Sequence, residues 1–363
     1  MLRRAPAQAA TARIIRRDRT VTGFRQKVRI EWLPVPSNKP ESVVIIGAGV
    51  TGLSTAFHLV EKGVESVTVI DKGTVGGGSS LQSGGIITML MATVTEVRAR
   101  AIALDIFERF SGILDGYHFH QVGCLNLFTE EVFSQNAALR EMWLRNGGQF
   151  DILRGAEISD RFPDLEAADS DYGILDHRSG FSEPHHYVAA LKAKLEEMGV
   201  DIRENESVIG FEVRGDRVRE VVTVAGSIDV PAYEMNGPEF HIGELQPHPD
   251  ALPFIEENLI ERTSLLEGAE WDYHTVGLIS LAHDVKPVIG PVPGVDGLYV
   301  GAHFHSGGFA YNPVSGLMLA EHVVDGGTSI DTEMYNPARF GSIDTEAFLS
   351  SPVMHSEMGI TRH

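Results

Sequence analysis

A single cysteine, Cys124, stands in a chain of 363 residues. One thiol cannot close an internal disulfide, and it excludes any multi-cysteine metal or iron–sulfur site, so the sequence points to a reducing compartment and a cytoplasmic location. No apolar run approaches the length that crosses a bilayer, which limits expected membrane contact to the periphery. The first residues have no apolar stretch of the secretory kind. Basic residues are also scarce: 30 Lys and Arg against 50 Asp and Glu give a net charge of −20. A surface of that sign repels phosphate backbones, so nucleic acid is not an expected partner.

The scarcity is uneven. Residues 1–40 hold ten of the Lys and Arg and only two acids, Asp18 and Glu31, which leaves a net of −28 on residues 41–363. The basic segment reads as an organelle transit peptide, as a docking arm for a partner subunit or anionic membrane, or as an extension with no function. The acidic body suits a salty cytoplasm, and equally an ordinary acidic protein. With 43% hydrophobic residues, it can bury the core of one large domain or of two joined ones.

Against this background "SVVIIGAGVTGLS", Ser42 to Ser54, is specific. A short aliphatic strand runs into Gly47, Gly49 and Gly52 at G-x-G-x-x-G spacing, then into a helix with apolar periodicity. The first glycine allows the tight turn, the second lets a pyrophosphate approach the backbone, and the third lets helix and strand pack closely. The helix N-terminus offers free N–H groups to phosphates. A second strand, "SVTVI", ends in Asp71, placed to accept hydrogen bonds from a ribose. A glycine turn in a nucleotide-free α/β domain is the alternative.

The segment "DKGTVGGGSSLQSGGII", Asp71 to Ile87, is a second small-residue loop. Here the chain resembles the FAD-dependent amino-acid oxidase family, which includes glycine oxidase, sarcosine oxidase and dehydrogenase, dimethylglycine dehydrogenase and the proline dehydrogenase β subunit. The resemblance continues in order through "QVGCLNLF", "RGAEISDRFPDL" and "GILDHRSGFSEPHHYVAALKAKLEEMGVDIREN" to "HFHSGGFAYNPVSGLMLAEH". It implies an α/β fold with an α+β substrate part: a Rossmann-like FAD-binding domain interleaved with an antiparallel-sheet substrate domain. The implied partition gives a basic extension at 1–40, FAD-binding parts at 41–110, 186–226 and 284–345, substrate parts at 111–185 and 227–283, and a tail at 346–363.

By the same resemblance FAD is held by Gly47, Gly49, Val50, Thr51, Gly52, Asp71 and Lys72 in the first turn and strand end. Gly78, Ser79, Ser80, Gln82, Ser83, Gly84 and Gly85 serve in the second loop, Val208 through a backbone contact to adenine, and Ser306, Gly307, Gly308 and Phe309 in the last turn. Pro313, Gly316 and Ala320 continue that pattern. Relatives that attach flavin covalently use a histidine where Gln82 stands, or a cysteine in a place where this chain has none, so the FAD is expected to be noncovalent. Cys124 then reads as a small buried apolar residue.

The chain also departs from the family. The usual "GFSGHGF" reads "HFHSGGF", so His303 replaces a glycine, His305 a serine, and Gly307 a histidine. The strand that ends in an Asn-Ala-Ala-Gly-like turn is missing after "VREVVTVAG", with several tens of residues absent. The activity implied is oxidation of an amine, N-methyl amino acid or imino acid, with hydride passing to flavin. His303, His305 and Tyr311 are the candidate catalytic residues, with Tyr233 and Tyr273 on the substrate side; backbone-bonded histidines and core tyrosines are the alternative reading. No arginine can be assigned to a substrate carboxylate from the sequence. The expected partners are a small amine or amino acid and an electron acceptor or partner subunit. A noncatalytic flavin-binding subunit of a dehydrogenase complex stands as the second functional reading.

Overall fold

The computed structural model describes residues 39–167, 171–225, 249, 251–260, 263, 265, 268, 277 and 279–341, together with the backbone of two N-terminal strands. Those strands, β1 (Ala10–Ile14) and β2 (Ile30–Pro34), pair antiparallel. The glycine motif folds as its spacing predicts: β3 (Ser42–Ile46), the turn, α1 (Val50–Glu61) and β4 (Ser66–Ile70). After the second loop come β5 (Ile86–Ile87) and α2 (Val94–Ile113). Helix α2 starts at a capping box in which the Thr93 hydroxyl accepts from the Glu96 N–H and the Glu96 carboxylate accepts from the Thr93 N–H.

Short strands β6 (Phe119–His120) and β7 (Cys124–Thr129) lead to α3 (Glu130–Gln135), α4 (Ala137–Arg145), β8 (Phe150–Arg154) and α5 (Gly155–Arg161). Then follow β9 (Asp171–Asp176), β10 (Gly180–Ser182), α6 (Pro184–Glu197) with proline in its first turn, β11 (Asp201–Arg203), and the hairpin β12 (Glu206–Arg214) and β13 (Arg217–Ala225). The last elements are α7 (Ala251–Ile260), β14 (Val288–Pro291), β15 (Tyr299–Ala302) and α8 (Gly308–Asp325).

Strands β11, β4 and β3 form a parallel sheet in that order, the parallel neighbours being joined by crossover connections that contain helices. The antiparallel sheets lie elsewhere, β7-β9-β8 and β5-β10-β6. This is the α/β class with a Rossmann-like sheet and a separate antiparallel part that the sequence implies. Helices α1, α2, α6 and α8 share one aromatic core. Phe107 of α2 stacks on Phe309 of α8 at 6.1 Å, Tyr187 of α6 meets Phe309 edge-on at 5.3 Å, and the Tyr187 hydroxyl donates to Asn312 Oδ1 at 2.7 Å. That packing fixes the N-terminus of α8 beside the N-terminal half of α1.

One edge is left open among the described residues. Among the described residues β3 pairs with β4 alone and β15 pairs with β14 alone. Val44 and Ile46 of β3 are 42% and 49% exposed, which is unusual for a strand composed almost wholly of aliphatic residues. A further strand, of the kind expected from the sequence to be missing after Ala225, would be the natural neighbour of such an edge.

Candidate functional site

A cleft of about 1120 Å³ follows the open edge of β3. One wall is Ser42–Ile46 with Thr51 and Thr55 of α1; the other is Leu298, Tyr299 and Gly301 around β15; residues 217–221 of β13 close one side. The same cleft is lined by Gly47, Gly49, Val50, Thr51 and Gly52, by Ser79, Ser80, Gln82, Ser83 and Gly84, and by His303, His305, Ser306, Gly308 and Phe309. Three segments far apart in sequence therefore meet along one groove. Lys72, Gly78, Gly85, Val208, Gly307 and Tyr311 are not among its lining residues. Asp71 stands just behind it.

The first turn is built for close approach. Gly47 has φ +104° and its N–H donates to the Ile70 carbonyl at 2.8 Å, joining the turn to the end of β4. A Cβ on Gly52 would lie 1.9 Å from the Gly47 carbonyl oxygen, so only glycine lets α1 sit this close to the turn. Asp71 ties the next layer: its carboxylate accepts from the Ala48 N–H at 2.7 Å and from the Gly73 N–H at 2.8 Å. Each oxygen keeps lone pairs for a further donor such as a ribose hydroxyl. The Ser80 hydroxyl accepts from the Val50 N–H at 3.1 Å, which places the second loop directly over the N-terminus of α1.

Glu204 secures that loop from below. Its carboxylate accepts from the Val75 N–H at 2.7 Å and pairs with Lys192 at 2.8 Å; the lysine first, and then the backbone N–H, hold the carboxyl below its usual range. Lys72 and Gly78 lie exposed on the outer side of the loop. Gly85 is buried where β5 meets β10, with the Ser182 carbonyl 1.9 Å from where its Cβ would be. Val208 is half-buried in the hairpin opposite Thr223, next to a bulge.

The last turn carries strain. His303 and His305 have φ +60° and +45°, the left-handed region that glycine enters most easily, and the family has glycine at the first of these positions. The His303 ring is held by Ser280, whose hydroxyl lies 2.7 Å from Nδ1. Partial burial, with a smaller contribution from the charge of Arg339, pushes the His303 imidazole below its ordinary value, so the ring is neutral near pH 7. The His305 N–H donates to the Ser280 carbonyl at 3.1 Å.

Tyr311 is fully buried, in a cluster with Ala99 and Ala103 of α2 and with Val314, Met318 and Tyr335. Burial holds its phenol above the usual value, so it stays protonated. It therefore belongs to the α2–α8 core, where sequence reading had set it beside the ring. Tyr233 and Tyr273 lie outside the described residues. Cys124 is half-buried on β7, and burial, reinforced by Asp176, raises its thiol.

Sequence reasoning did not single out Arg100, Ser280 or Arg339. Arg339 makes a two-bonded pair with Asp284 at 2.8 and 3.0 Å, fixing the approach to β14. Arg100 stands on α2 with Glu96, Val97, Ala103 and Leu104 three and four residues away, a mixed set whose spacing does not mark the position as buried.

The donor set fits FAD. A glycine turn at a helix N-terminus, hydroxyls of the second loop over it, and a groove leading to a second helix N-terminus suit a pyrophosphate with a ring beyond it. Residues 42–234 match the family model described as FAD dependent oxidoreductase. Sarcosine oxidase subunit beta from Arthrobacter sp is 29% identical over 206 residues, covering 54% of this chain and 51% of that protein. The chain thus spans about half the length of that relative. The same subunit from Rhodobacter capsulatus is 24% identical over 376 residues, covering 83% of this chain and 89% of that one. The latter alignment is several tens of positions longer than the stretch of this chain that it covers, in keeping with a shortened interior. L-proline dehydrogenase from P. horikoshii has a similar fold, with a TM-score of 0.74, 21% identity and coverage of 84% of this chain and 98% of that one. On the family match and the shared fold, the chain belongs to the FAD dependent oxidoreductase family.

Proposed function

We propose that the protein oxidises an amine, an N-methyl amino acid or an imino acid of the sarcosine, glycine or proline kind, with FAD bound noncovalently. The observation that carries this reading is the meeting of the Gly47–Gly52 turn, the Ser79–Gly84 loop and the His303–Phe309 turn along one groove. FAD, when bound, supplies the two-electron acceptor for hydride leaving the carbon beside nitrogen, and the imine released hydrolyses in water. The N-termini of α1 and α8 offer N–H groups to negative charge. His303 is neutral near pH 7 and held through Nδ1, so it is suited to take the proton of a substrate ammonium, leaving the nitrogen lone pair free. Gln82, lining the groove in place of a linking histidine, supports noncovalent attachment.

The reading includes the interleaved division into FAD-binding and substrate parts, a reducing cytoplasmic setting, and an electron acceptor that can be a separate subunit. The test is the visible spectrum of the purified protein and its anaerobic bleaching by sarcosine, glycine, proline and simple N-methyl amines. A flavin spectrum that one of these bleaches is expected. A bound flavin that none of them bleaches would defeat the enzyme reading.

One observation favours the second reading, a flavin-binding subunit without its own activity. The open edge of β3 leaves aliphatic side chains facing the cleft, and a missing wall beside the ring site would cost the water exclusion that hydride transfer needs.

A further inference from the structure

Among the described residues two strands lack a neighbour on one edge, and they are close in sequence. Strand β3 pairs with β4 alone, and β1 and β2 pair only with each other. A two-stranded hairpin by itself is marginally stable in water, and a third strand or a packed face is what makes it persist. On β3 the exposure alternates. Val43 and Ile45 pack against the core, whereas Val44 and Ile46 are exposed on the opposite face.

The connection between these edges limits how they can meet. Seven residues, 35–41, separate β2 (Ile30–Pro34) from β3 (Ser42–Ile46). A parallel neighbour needs a crossover of about a dozen residues or more, so a link this short allows only an antiparallel pair. The link reads "VPSNKPE" and includes Pro36, Ser37 and Asn38, residue types that turn a chain. Its end is fixed beside the sheet: the Lys39 ammonium donates to the Gly63 carbonyl, and the Glu41 carbonyl accepts from the Ser66 N–H at 3.2 Å. Pro40, between them, lines the cleft, so the chain enters β3 along it.

We propose that β2 adds antiparallel to the open edge of β3, with Pro34 opposite Ser42, Trp32 opposite Val44 and Ile30 opposite Ile46. In this register the apolar members of β2 stand on the face where Val44 and Ile46 are exposed, and aromatic or branched pairs across strands stabilise a sheet. A slip by one residue would set Glu31 and Leu33 there instead. Pro34 ends the strand, a place where the missing N–H is tolerated. Strand β2 begins opposite Ile46, which leaves the Gly47–Gly52 turn free for phosphate. Residues 1–40 carry ten basic and two acidic side chains, a net of +8 beside a body of −28, so charge holds the segment to its own chain. The basic extension thereby supplies a strand of the kind expected to be missing after Ala225. This assignment goes beyond the oxidoreductase reading and does not depend on it.

Disulfide trapping in the full chain tests the register, with Cys124→Ser removing the native thiol. Trp32→Cys with Val44→Cys should oxidise to an intrachain bond, because opposed residues of an antiparallel pair bring their Cα atoms to about 4.5–5.5 Å. Trp32→Cys with Val43→Cys, placed on the other face, should form it at least about tenfold more slowly. Hydrogen exchange tests the unmodified protein. Its β3 amides should exchange at least about tenfold more slowly than those of Trp32→Pro, which cannot continue the ladder. Equal trapping at positions 43 and 44, or none at either, overturns the proposal, as does β3 exchange that Trp32→Pro leaves unchanged. Trapping that yields only disulfide-linked dimers would put the strand of a second copy on β3, and it overturns the proposal as well.

Discussion

Gly52→Ala and Gly49→Val separate two tasks of the first glycine turn. A Cβ on Gly52 would stand 1.9 Å from the Gly47 carbonyl oxygen, and contacts under 3.0 Å are essentially never seen. The obstacle is backbone, so no rotamer relieves it, and α1 has to withdraw from the turn by roughly 1 Å. Overpacking of this kind costs typically about 1–3 kcal/mol, and a backbone clash belongs at the upper end. Alanine in place of a helical glycine returns about 1 kcal/mol. A net loss of about 2 kcal/mol remains, worth roughly 3 °C in melting temperature for a chain this long. A Cβ on Gly49 meets only the Ser80 hydroxyl, at 3.1 Å, and a hydroxyl can turn away. Turning it loses the bond from the Val50 N–H, about 1 kcal/mol. Gly49→Val should therefore fold, with its branched carbons filling the space before the α1 N-terminus where a pyrophosphate would lie. Thermal unfolding and the ratio of flavin to protein absorbance read the two effects. Gly52→Ala melting with the unmodified protein would refute the packing argument. Folded Gly49→Val with a full complement of flavin would refute the assignment of the turn to phosphate.

Three further outcomes are expected. Acid precipitation should release all flavin to the supernatant, since Gln82 offers no linking atom and Cys124 lies on a different strand; flavin remaining in the pellet would contradict noncovalent binding. Salt should raise the melting temperature well beyond the physiological range, because screening relieves the repulsion of a net −28 on residues 41–363; a melting temperature indifferent to salt would remove the halophile-like reading. Burial holds the imidazoles of His303 and His322 below their ordinary value. Protonation thus favours the unfolded chain, and their share of stability is present above about pH 6.5 and lost as pH falls through the folded values. His322→Leu should flatten the fall in melting temperature below that pH, and an unchanged slope would show that the ring is not the source.

The parts of the site legible in the sequence are those fixed by local geometry. Gly47, Gly49 and Gly52 sit within one turn, and Asp71 follows by a single crossover, so spacing alone reports that they come together. Ser80 over the α1 N-terminus was legible for the same reason, as the next loop in the chain. What was not legible depends on how helices rotate against each other. Tyr311 follows Gly308 by three residues, close enough to suggest a place beside the ring. Its helical face, shared with Ser315 and Met318, packs on Ala99 and Ala103 of α2 instead. Arg100 was passed over because a charge within a long helix usually faces water. Its burial follows from the α2–α8 contact, which no local spacing encodes. The open edge of β3 had a sequence signal, the shortened stretch after Ala225, although the exposure of Val44 and Ile46 could be known only from the strand pairing.

The unfavourable features of the structure are of two kinds, and they lie at different places in the cleft. At the last turn, His303 and His305 hold left-handed backbone at about 1–2 kcal/mol each, and the bond to Ser280 offsets about 1 kcal/mol for the first. Arg100 adds an unpaired buried cation behind the same turn. A ligand seated against this turn offsets these costs through the binding free energy it adds to the folded state alone. Along β3, the cost is aliphatic surface that no strand among the described residues covers, and an added strand would remove it. An enzyme complete in one chain should therefore be stabilised by substrate-like acids more than by any protein. A subunit that works only in an assembly should respond in the opposite sense, gaining most from a partner that presents an extended edge to β3. Measuring both shifts in melting temperature on one preparation compares the two functions in the same unit of free energy.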